Sequence, residues 1–292
     1  AATGAGAYSL SENGLYTLEA WDTILDRLVP TGVFSVTRWF KPESPGETAR
    51  MLALAMRVLW DRGARDPVQH MILLQREQVA TLLLSPTPFT RSDLEKSSAW
   101  ARHLGFGLIV NAGLAEDIAP ISELIAQPDL PAMERWIEAQ RLDFRPPTDD
   151  RPFFFNMLRP RDWLTRPGEV AAMDYVFLGN LQANQTLLYA IVASALLTLG
   201  AIVIPLIPAW SRVRRQAPGR VAAASLYFAL IGTGFMLVEI GLLSRLSVFL
   251  GHPVLALAAV LGGVIFFAGL GSLISARVSL ASRRVALTYP LV

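Results

Sequence analysis

The 292-residue chain contains no cysteine and only three histidines, His70, His103 and His252. Without cysteine it has no disulfide framework, no thiolate metal site and no cysteine nucleophile. The histidines are scattered and make no metal-ligand spacing, so we predict no metal site. The sequence also lacks a basic patch with interleaved aromatic residues, and we therefore expect no nucleic-acid partner.

Charged residues are scarce, and their distribution divides the chain into two parts. They make up 17% of the sequence, against about 25% in an ordinary soluble domain, and mean hydropathy is +0.39. Residues 186–292 contain 8 arginines, no lysine and one acid, Glu239, whereas residues 1–185 carry more acids than bases. The chain therefore combines an acidic soluble part with a basic apolar part.

Three long apolar runs in the second part predict membrane-spanning helices, over about 186–209, 221–243 and 254–274. Nineteen uncharged residues at the start of the first run nearly cross a hydrocarbon core of about 30 Å, at about 1.5 Å per residue. Gly251-His252-Pro253 separates the last two runs. We therefore expect a multi-pass membrane protein whose partner is the lipid bilayer.

Three polar residues, Glu239, Arg245 and His252, lie within or beside these predicted spans. An ionisable side chain in hydrocarbon costs about 2.5–3.5 kcal/mol on insertion scales and is a candidate functional residue. Arg245 follows Glu239 by six positions, which puts it on another face of the helix, so we expect no pair between them. Glu239 then either pairs with another helix or serves transport. Ala258 and Gly262, four apart, offer a small-residue face for oligomer formation.

The first hundred residues carry patterns typical of the second half of a parallel α/β sheet. Ser11 and Thr17 are candidate N-caps. We predict, in order, an amphipathic helix over 17–28, a buried strand over 32–37, a helix over 47–61 and a hairpin of 70–75 with 79–85. This order is that of the closing half of the S-adenosylmethionine-dependent methyltransferase fold, whose last strand is antiparallel.

The predicted organisation has three parts. They are a partial Rossmann-like α/β domain over 1–110, an irregular helical extension and linker over 111–185, and an all-α membrane domain over 186–292. Within the extension, a proline-rich segment over 145–156 supports two interpretations. It is a substrate-binding or ion-binding loop, or a structural clamp in which Arg151 fixes the loop and the three phenylalanines 153–155 anchor it.

Several segments resemble a known family. Gly14-Leu-Tyr-Thr-Leu-Glu-Ala-Trp21, followed by a helix and Leu28-Val-Pro-Thr-Gly-Val-Phe-Ser-Val36, resembles the spermidine synthases, which are polyamine aminopropyltransferases. Thr148-Asp-Asp-Arg-Pro-Phe-Phe-Phe155 and the segment 234–253 resemble large bacterial membrane proteins that are similar to spermidine synthases. The resemblance implies a Rossmann-like transferase domain that binds S-adenosylmethionine or its decarboxylated form, with a small amine as acceptor.

The resemblance also implies where the site lies. The family's catalytic aspartate would fall just before Ala1, so we expect a C-terminal fragment that has no catalytic residue of its own and no transferase activity alone. The family loop closes over the substrates, and the residues implied there are Tyr8, Ser11, Glu12, Asn13 and Tyr16. Arg38 follows the predicted strand at the carboxyl edge of the sheet, where such folds bind ligands.

Three functions remain open at this point. The leading one is a membrane-anchored, spermidine synthase-like transferase of polyamine biosynthesis. Residues 71–82 match nothing of the family's diamine-binding segment, so a methyltransferase acting on a membrane acceptor is the second. The third is a transporter component with a non-catalytic nucleotide-binding-like domain, in which Glu239 serves the translocated ion.

The resemblance implies that the protein lies in the bacterial inner membrane. Two arguments about the side on which its soluble part lies give opposite answers. The arginines that follow the first and third predicted spans place the soluble part outside the cytoplasm by the positive-inside rule. S-adenosylmethionine-type donors are cytosolic, which places it inside. Long domains translocate largely regardless of charge, and we therefore favour the cytoplasmic side.

Overall fold

The structure is a computed structural model of the chain. It describes residues 9–111, 114–164, 175–205 and 218–275. The chain divides into two compact units, Ala1–Leu196 and Leu197–Val292. The boundaries predicted from composition, 1–110, 111–185 and 186–292, stay predictions.

The described part of the first unit is a small sheet combined with helices. Its α-helices are α1 at Leu18–Arg27, α2 at Gly46–Asp61, α3 at Arg91–Leu104, α4 at Ile121–Ile125, α5 at Leu130–Ala139 and the start of α6 at Tyr175–Thr198. Short 3-10 turns occupy Gly14–Tyr16, Pro67–His70 and Pro160–Asp162. The strands are β1 at Phe34–Trp39, β2 at Met71–Arg76, β3 at Val79–Leu84, β4 at Gly107–Asn111 and β5 at Leu114–Ala115.

The sheet has the order β1-β3-β2-β4-β5, and every strand pairing in the described residues is antiparallel. The predicted hairpin is confirmed as β2 and β3, joined through Glu77, whose φ of 54° suits a tight turn. No pairing among the described strands is parallel, whereas the antiparallel last strand that the predicted fold has is present as β3. The hairpin folds β3 back between β1 and β2, so the two strands that point the same way are separated by one that runs against them.

Helix ends follow the local sequence. The Thr17 side chain accepts a hydrogen bond from the backbone N–H of Ala20 and caps α1, which confirms the predicted N-cap. Ser11 caps no helix, because the turn at Gly14–Tyr16 begins after Asn13. Thr90 and Asp93 form a reciprocal capping box at the start of α3.

Helix α2 forms the centre of the hydrophobic core. Twelve of its 16 residues are buried, in contact with the sheet and with α1 and α4. The largest fully buried side chains around it include Trp21 from α1, Phe40 after β1 and Phe154 from the proline-rich segment. Phe154 and Phe155 therefore anchor the segment 145–156 to the core of the first unit, while Arg145, Arg151 and Phe153 of the same segment are exposed.

The described part of the second unit consists of long apolar helices. A π-helical turn at Leu199–Val203 continues α6, and α7 at Pro218–Leu250 packs on α8 at Pro253–Ser275. Gly251, in the left-handed region with φ of 63°, ends α7, and Pro253 begins α8, so the predicted break is confirmed.

Three stretches of the described residues are long and apolar enough to cross a membrane. They are Leu178–Ala201, Ala223–Leu250 and Val254–Ile274. Almost none of their surface is covered by the protein, and an uninterrupted exposed apolar surface is compatible with lipid and not with water. The structure thus indicates a membrane protein. The second span extends past its predicted end at 243, because the apolar sequence continues and α7 does not break before Gly251.

Candidate functional site

The structure brings together two of the residues that the sequence analysis selected, Tyr16 and Arg38. Tyr16 ends the turn that precedes α1, and Arg38 is the second-last residue of β1. The Arg38 Nη1 group donates to the Tyr16 hydroxyl at 3.4 Å, and the guanidinium carbon lies 5.2 Å from the centroid of the tyrosine ring. The arrangement therefore combines a hydrogen bond with a cation–π contact.

Three further side chains complete this group, which we call the Arg38 cluster. Glu47, in the first turn of α2, accepts from Arg38 Nη2 at 3.2 Å, and both side chains are about one-fifth exposed. Phe154 and Phe155 present their rings to the guanidinium at 5.9 and 4.5 Å, and Phe154 also contacts Tyr16. Within the described residues, the buried Arg38 Nε atom has no hydrogen-bond partner.

A second arginine, Arg50, holds the segment that supplies the two phenylalanines. Its side chain is buried in α2, and Nε donates to the carbonyl of Arg145 at 2.9 Å. Nη1 lies 2.7–3.1 Å from the carbonyls of Phe153, Phe154 and Asn156. Burial lowers the pKa of Arg50 to about 10, so the guanidinium stays protonated at neutral pH and all its N–H groups remain donors.

The clamp interpretation of this segment is supported, with a different residue as the clamp. Arg151 is exposed, and its backbone pairs with that of Thr148 in a short bridge. Phe154 and Phe155 are buried as anchors, whereas Phe153 is 36% exposed. Sequence reasoning missed Arg50, although one signal was present: it shares the buried face of α2 with Leu54 and Val58, four and eight residues later.

Three other residues implied by the resemblance are described, Ser11, Glu12 and Asn13, and none of them belongs to the Arg38 cluster. Ser11 and Glu12 are exposed. The Asn13 backbone N–H donates to the carbonyl of Pro152 at 2.6 Å, which ties the turn to the segment that carries the phenylalanines. The Asn13 side chain donates to the Ser11 carbonyl. Tyr8 lies outside the described residues.

The polar residues of the membrane part are not brought together. Glu239 is half-buried in α7, whereas Arg245 and His252 are exposed. Among the described residues, no ion pair joins Glu239 to Arg245, as the six-residue spacing predicts.

A cavity of about 490 Å³ adjoins the segment held by Arg50. We call it the Arg151 cavity. It is lined by Arg50, Asp143, Arg145, Pro146, Pro147, Thr148, Arg151, Phe153, Asn156, Leu158 and Trp163. Burial by itself would raise the pKa of Asp143, but hydrogen bonds from the side chain and backbone of Arg145 outweigh it and hold that pKa below its ordinary value.

The parts of the chain that the structure describes contain no group of three or more histidine, aspartate and glutamate side chains able to hold a metal ion.

In comparisons with known proteins, the chain matches no family model, no curated protein and no solved structure. The architecture is that of a membrane protein in which a unit of helices and a small antiparallel sheet precedes the candidate spans, and the function is argued from the site.

Proposed function

We propose that the chain is part of a membrane-anchored, spermidine synthase-like transferase that uses an S-adenosylmethionine-type donor. One observation carries the proposal: the strand order β1-β3-β2, in which β3 runs antiparallel between two strands that point the same way. Helix α2 connects β1 to β2, so the order of elements is that of the closing half of the fold that the resemblance implies. β1 also lies at an edge of the sheet, where further strands of such a fold would pair.

The position of the Arg38 cluster supports the same proposal. Arg38 is at the carboxyl end of β1, and open α/β sheets bind ligands beyond the carboxyl ends of their strands. Tyr16 comes from the segment that resembles the family's substrate-covering loop. In the proposed site the Tyr16 ring borders the ligand, and Arg38 and Glu47 supply one charge of each sign.

The charge of Arg38 bears on the choice of donor. S-adenosylmethionine has a carboxylate that its decarboxylated form lacks, and a guanidinium pairs well with a carboxylate. The Arg38 Nε atom has no partner among the described residues, so it has a donor to offer. A cationic polyamine has no carboxylate that could pair with the Arg38 guanidinium. This favours methyl transfer to a membrane acceptor as a second candidate function beside aminopropyl transfer.

Donor binding by the full-length protein tests the proposal. We would titrate the detergent-solubilised protein with S-adenosylmethionine and with the decarboxylated form by calorimetry, for wild type, Arg38→Gln and the control Arg57→Gln. Arg57 lies on α2 and forms only partly exposed pairs away from the cluster. Loss of one charged hydrogen bond predicts affinity at least about tenfold weaker for Arg38→Gln and unchanged for Arg57→Gln.

The two candidate functions give different results. Tighter binding of S-adenosylmethionine, with transfer of its methyl group, supports the methyltransferase, whereas binding of the decarboxylated donor with aminopropyl transfer supports the synthase. If wild type binds neither donor, or if Arg38→Gln and Arg57→Gln behave alike, the proposal is wrong.

A further inference from the structure

The Arg151 cavity has an excess of positive charge. Three guanidinium groups line it, those of Arg50, Arg145 and Arg151, against one carboxylate, that of Asp143. Arg145 and Asp143 form an ion pair with each other. The Arg50 guanidinium already donates hydrogen bonds to four backbone carbonyls. Arg151 is exposed and has no ion-pair partner within the described residues. The cavity therefore offers one unpaired cation to an anionic ligand.

The lining also supplies neutral hydrogen-bond donors. Thr148 contributes a hydroxyl and Asn156 an amide. Trp163 lines the cavity, and its buried indole Nε1–H has no hydrogen-bond partner in the described part of the chain. A buried donor without a partner beside a cavity indicates that a ligand or water atom accepts from it. A volume of about 490 Å³ is in the usual range for small-ligand sites.

Hydrogen bonds connect this cavity to the start of the first membrane-spanning helix. The Gln185 amide donates to the carbonyl of Trp163 at 3.2 Å, and the Asn184 amide approaches the Asn156 side chain at 3.5 Å. Asn180 accepts from the backbone N–H of Met157 at 2.7 Å. These helix residues directly precede Thr186, where the exposed apolar surface of α6 begins.

The early turns of α6 therefore belong to the soluble unit, although the candidate span is Leu178–Ala201. Asn180 and Asn184 are buried there and make hydrogen bonds within the unit, so this part of α6 packs on protein and not on lipid. The lipid-facing part of α6 then begins near 186, where the sequence analysis predicted it. At about 1.5 Å per residue, Gln185 and its partner Trp163 lie at the level of the lipid headgroups.

Apolar side chains beside the cavity fit the same location. Leu164 follows Trp163 and is 80% exposed, and Phe153, which lines the cavity, is 36% exposed. Tryptophan is enriched at membrane interfaces, where its ring contacts lipid and its N–H reaches a polar group. A positively charged cavity therefore lies beside exposed apolar side chains. An anionic amphiphile would place its charged group in the cavity and its apolar part on those side chains.

We propose that the Arg151 cavity binds the phosphate of an anionic phospholipid headgroup at the membrane surface. Arg151 pairs with the phosphate, Trp163 and Thr148 donate hydrogen bonds to it, and the acyl chains extend past Leu164 along α6. The proposal does not depend on the transferase assignment, because it uses only the cavity and the start of the span. A lipid at this point would fix the orientation of the soluble unit on the bilayer.

Lipid retention tests the proposal directly. The full-length protein in an uncharged detergent would be titrated with phosphatidylglycerol, phosphatidylcholine and glycerol 3-phosphate, and bound lipid counted by native mass spectrometry. We expect one tightly held phosphatidylglycerol and at least about fivefold weaker binding by Arg151→Gln, since an arginine contributes about that factor toward an anionic lipid. The matched control is Arg161→Gln, an exposed arginine two residues before Trp163 that does not line the cavity.

Three results would overturn the proposal. One is equal retention of phosphatidylglycerol and phosphatidylcholine by wild type. Another is an equal loss in Arg151→Gln and Arg161→Gln, which would mean a diffuse surface effect. The last is binding of glycerol 3-phosphate as tight as that of the whole lipid, which would identify a soluble phosphate as the ligand. Thermal unfolding of each variant establishes that the variant is still folded.

Discussion

Replacing Arg50 with methionine removes the guanidinium that holds the segment 145–156 in the core. Methionine fills a similar volume, so the substitution mainly removes hydrogen bonds and changes the packing little. Four backbone carbonyls lose donors that lie 2.7–3.1 Å away. Hydrogen bonds to a charged group contribute about 1.5–3 kcal/mol each, and an orphaned buried acceptor costs about 1–3 kcal/mol. We expect the free energy of unfolding to fall by about 3–5 kcal/mol.

Thermal unfolding of the detergent-solubilised chain, followed by near-ultraviolet circular dichroism, measures this effect. For a unit of this size each kcal/mol shifts Tm by about 2–4 °C, so Arg50→Met is expected to lose about 6–20 °C. Arg50→Lys keeps the charge without the planar fork and should lie between wild type and Arg50→Met.

Arg57→Met is the matched control, because Arg57 lies seven residues further along α2 and makes only partly exposed ion pairs with Asp61 and Glu134. Such pairs contribute less than about 1 kcal/mol. If Arg50→Met unfolds at the same temperature as Arg57→Met, the segment is held by its phenylalanines alone and the clamp argument fails.

Other predictions concern the core and the helix ends. Trp21→Ala should cost about 3–5 kcal/mol because the indole is fully buried, whereas exposed Trp100→Ala should cost little; equal effects would contradict the core assignment. Thr17→Ala should cost about 1 kcal/mol by uncapping α1, and no change in Tm would count against the cap. Side-chain and backbone hydrogen bonds from Thr90 lower the pKa of Asp93, so Thr90→Ala should raise it toward 3.8 in an NMR titration. The depressed pKa also means that this capping contribution is present above pH 3.8 and is lost as pH falls through the folded-state value.

The local elements could be predicted from the sequence because their signals are local. Thr17 caps its helix, and two apolar runs separated by a short polar turn form the hairpin. The partners of each strand could not be predicted in the same way. The alternation of helix and strand patterns suggested the second half of a parallel sheet with an antiparallel last strand. Such a pattern does not show that β3, and not β2, pairs with β1.

Part of the candidate site was also predictable. Tyr16 and Arg38 were selected from a resemblance and from a position at the sheet edge, and the structure puts them in contact. Arg50 could not be found in this way, because its carbonyl partners lie 95–106 residues further along the chain. A lone arginine on a buried helix face signals that a partner exists without identifying it.

The central claim is that a unit of helices and a small antiparallel sheet is followed by three helices that cross the membrane. The absence of cysteine allows clean labelling of single-cysteine variants with a membrane-impermeant maleimide in sealed vesicles. We propose Glu95→Cys in the exposed surface of α3, Ser211→Cys between the first two spans and His252→Cys between the last two.

Crossing by the first two spans predicts that Glu95→Cys and His252→Cys are labelled from one face of the membrane and Ser211→Cys only from the other. Labelling of Glu95→Cys and Ser211→Cys from the same face would show that α6 does not cross the membrane, and this result would contradict the central claim.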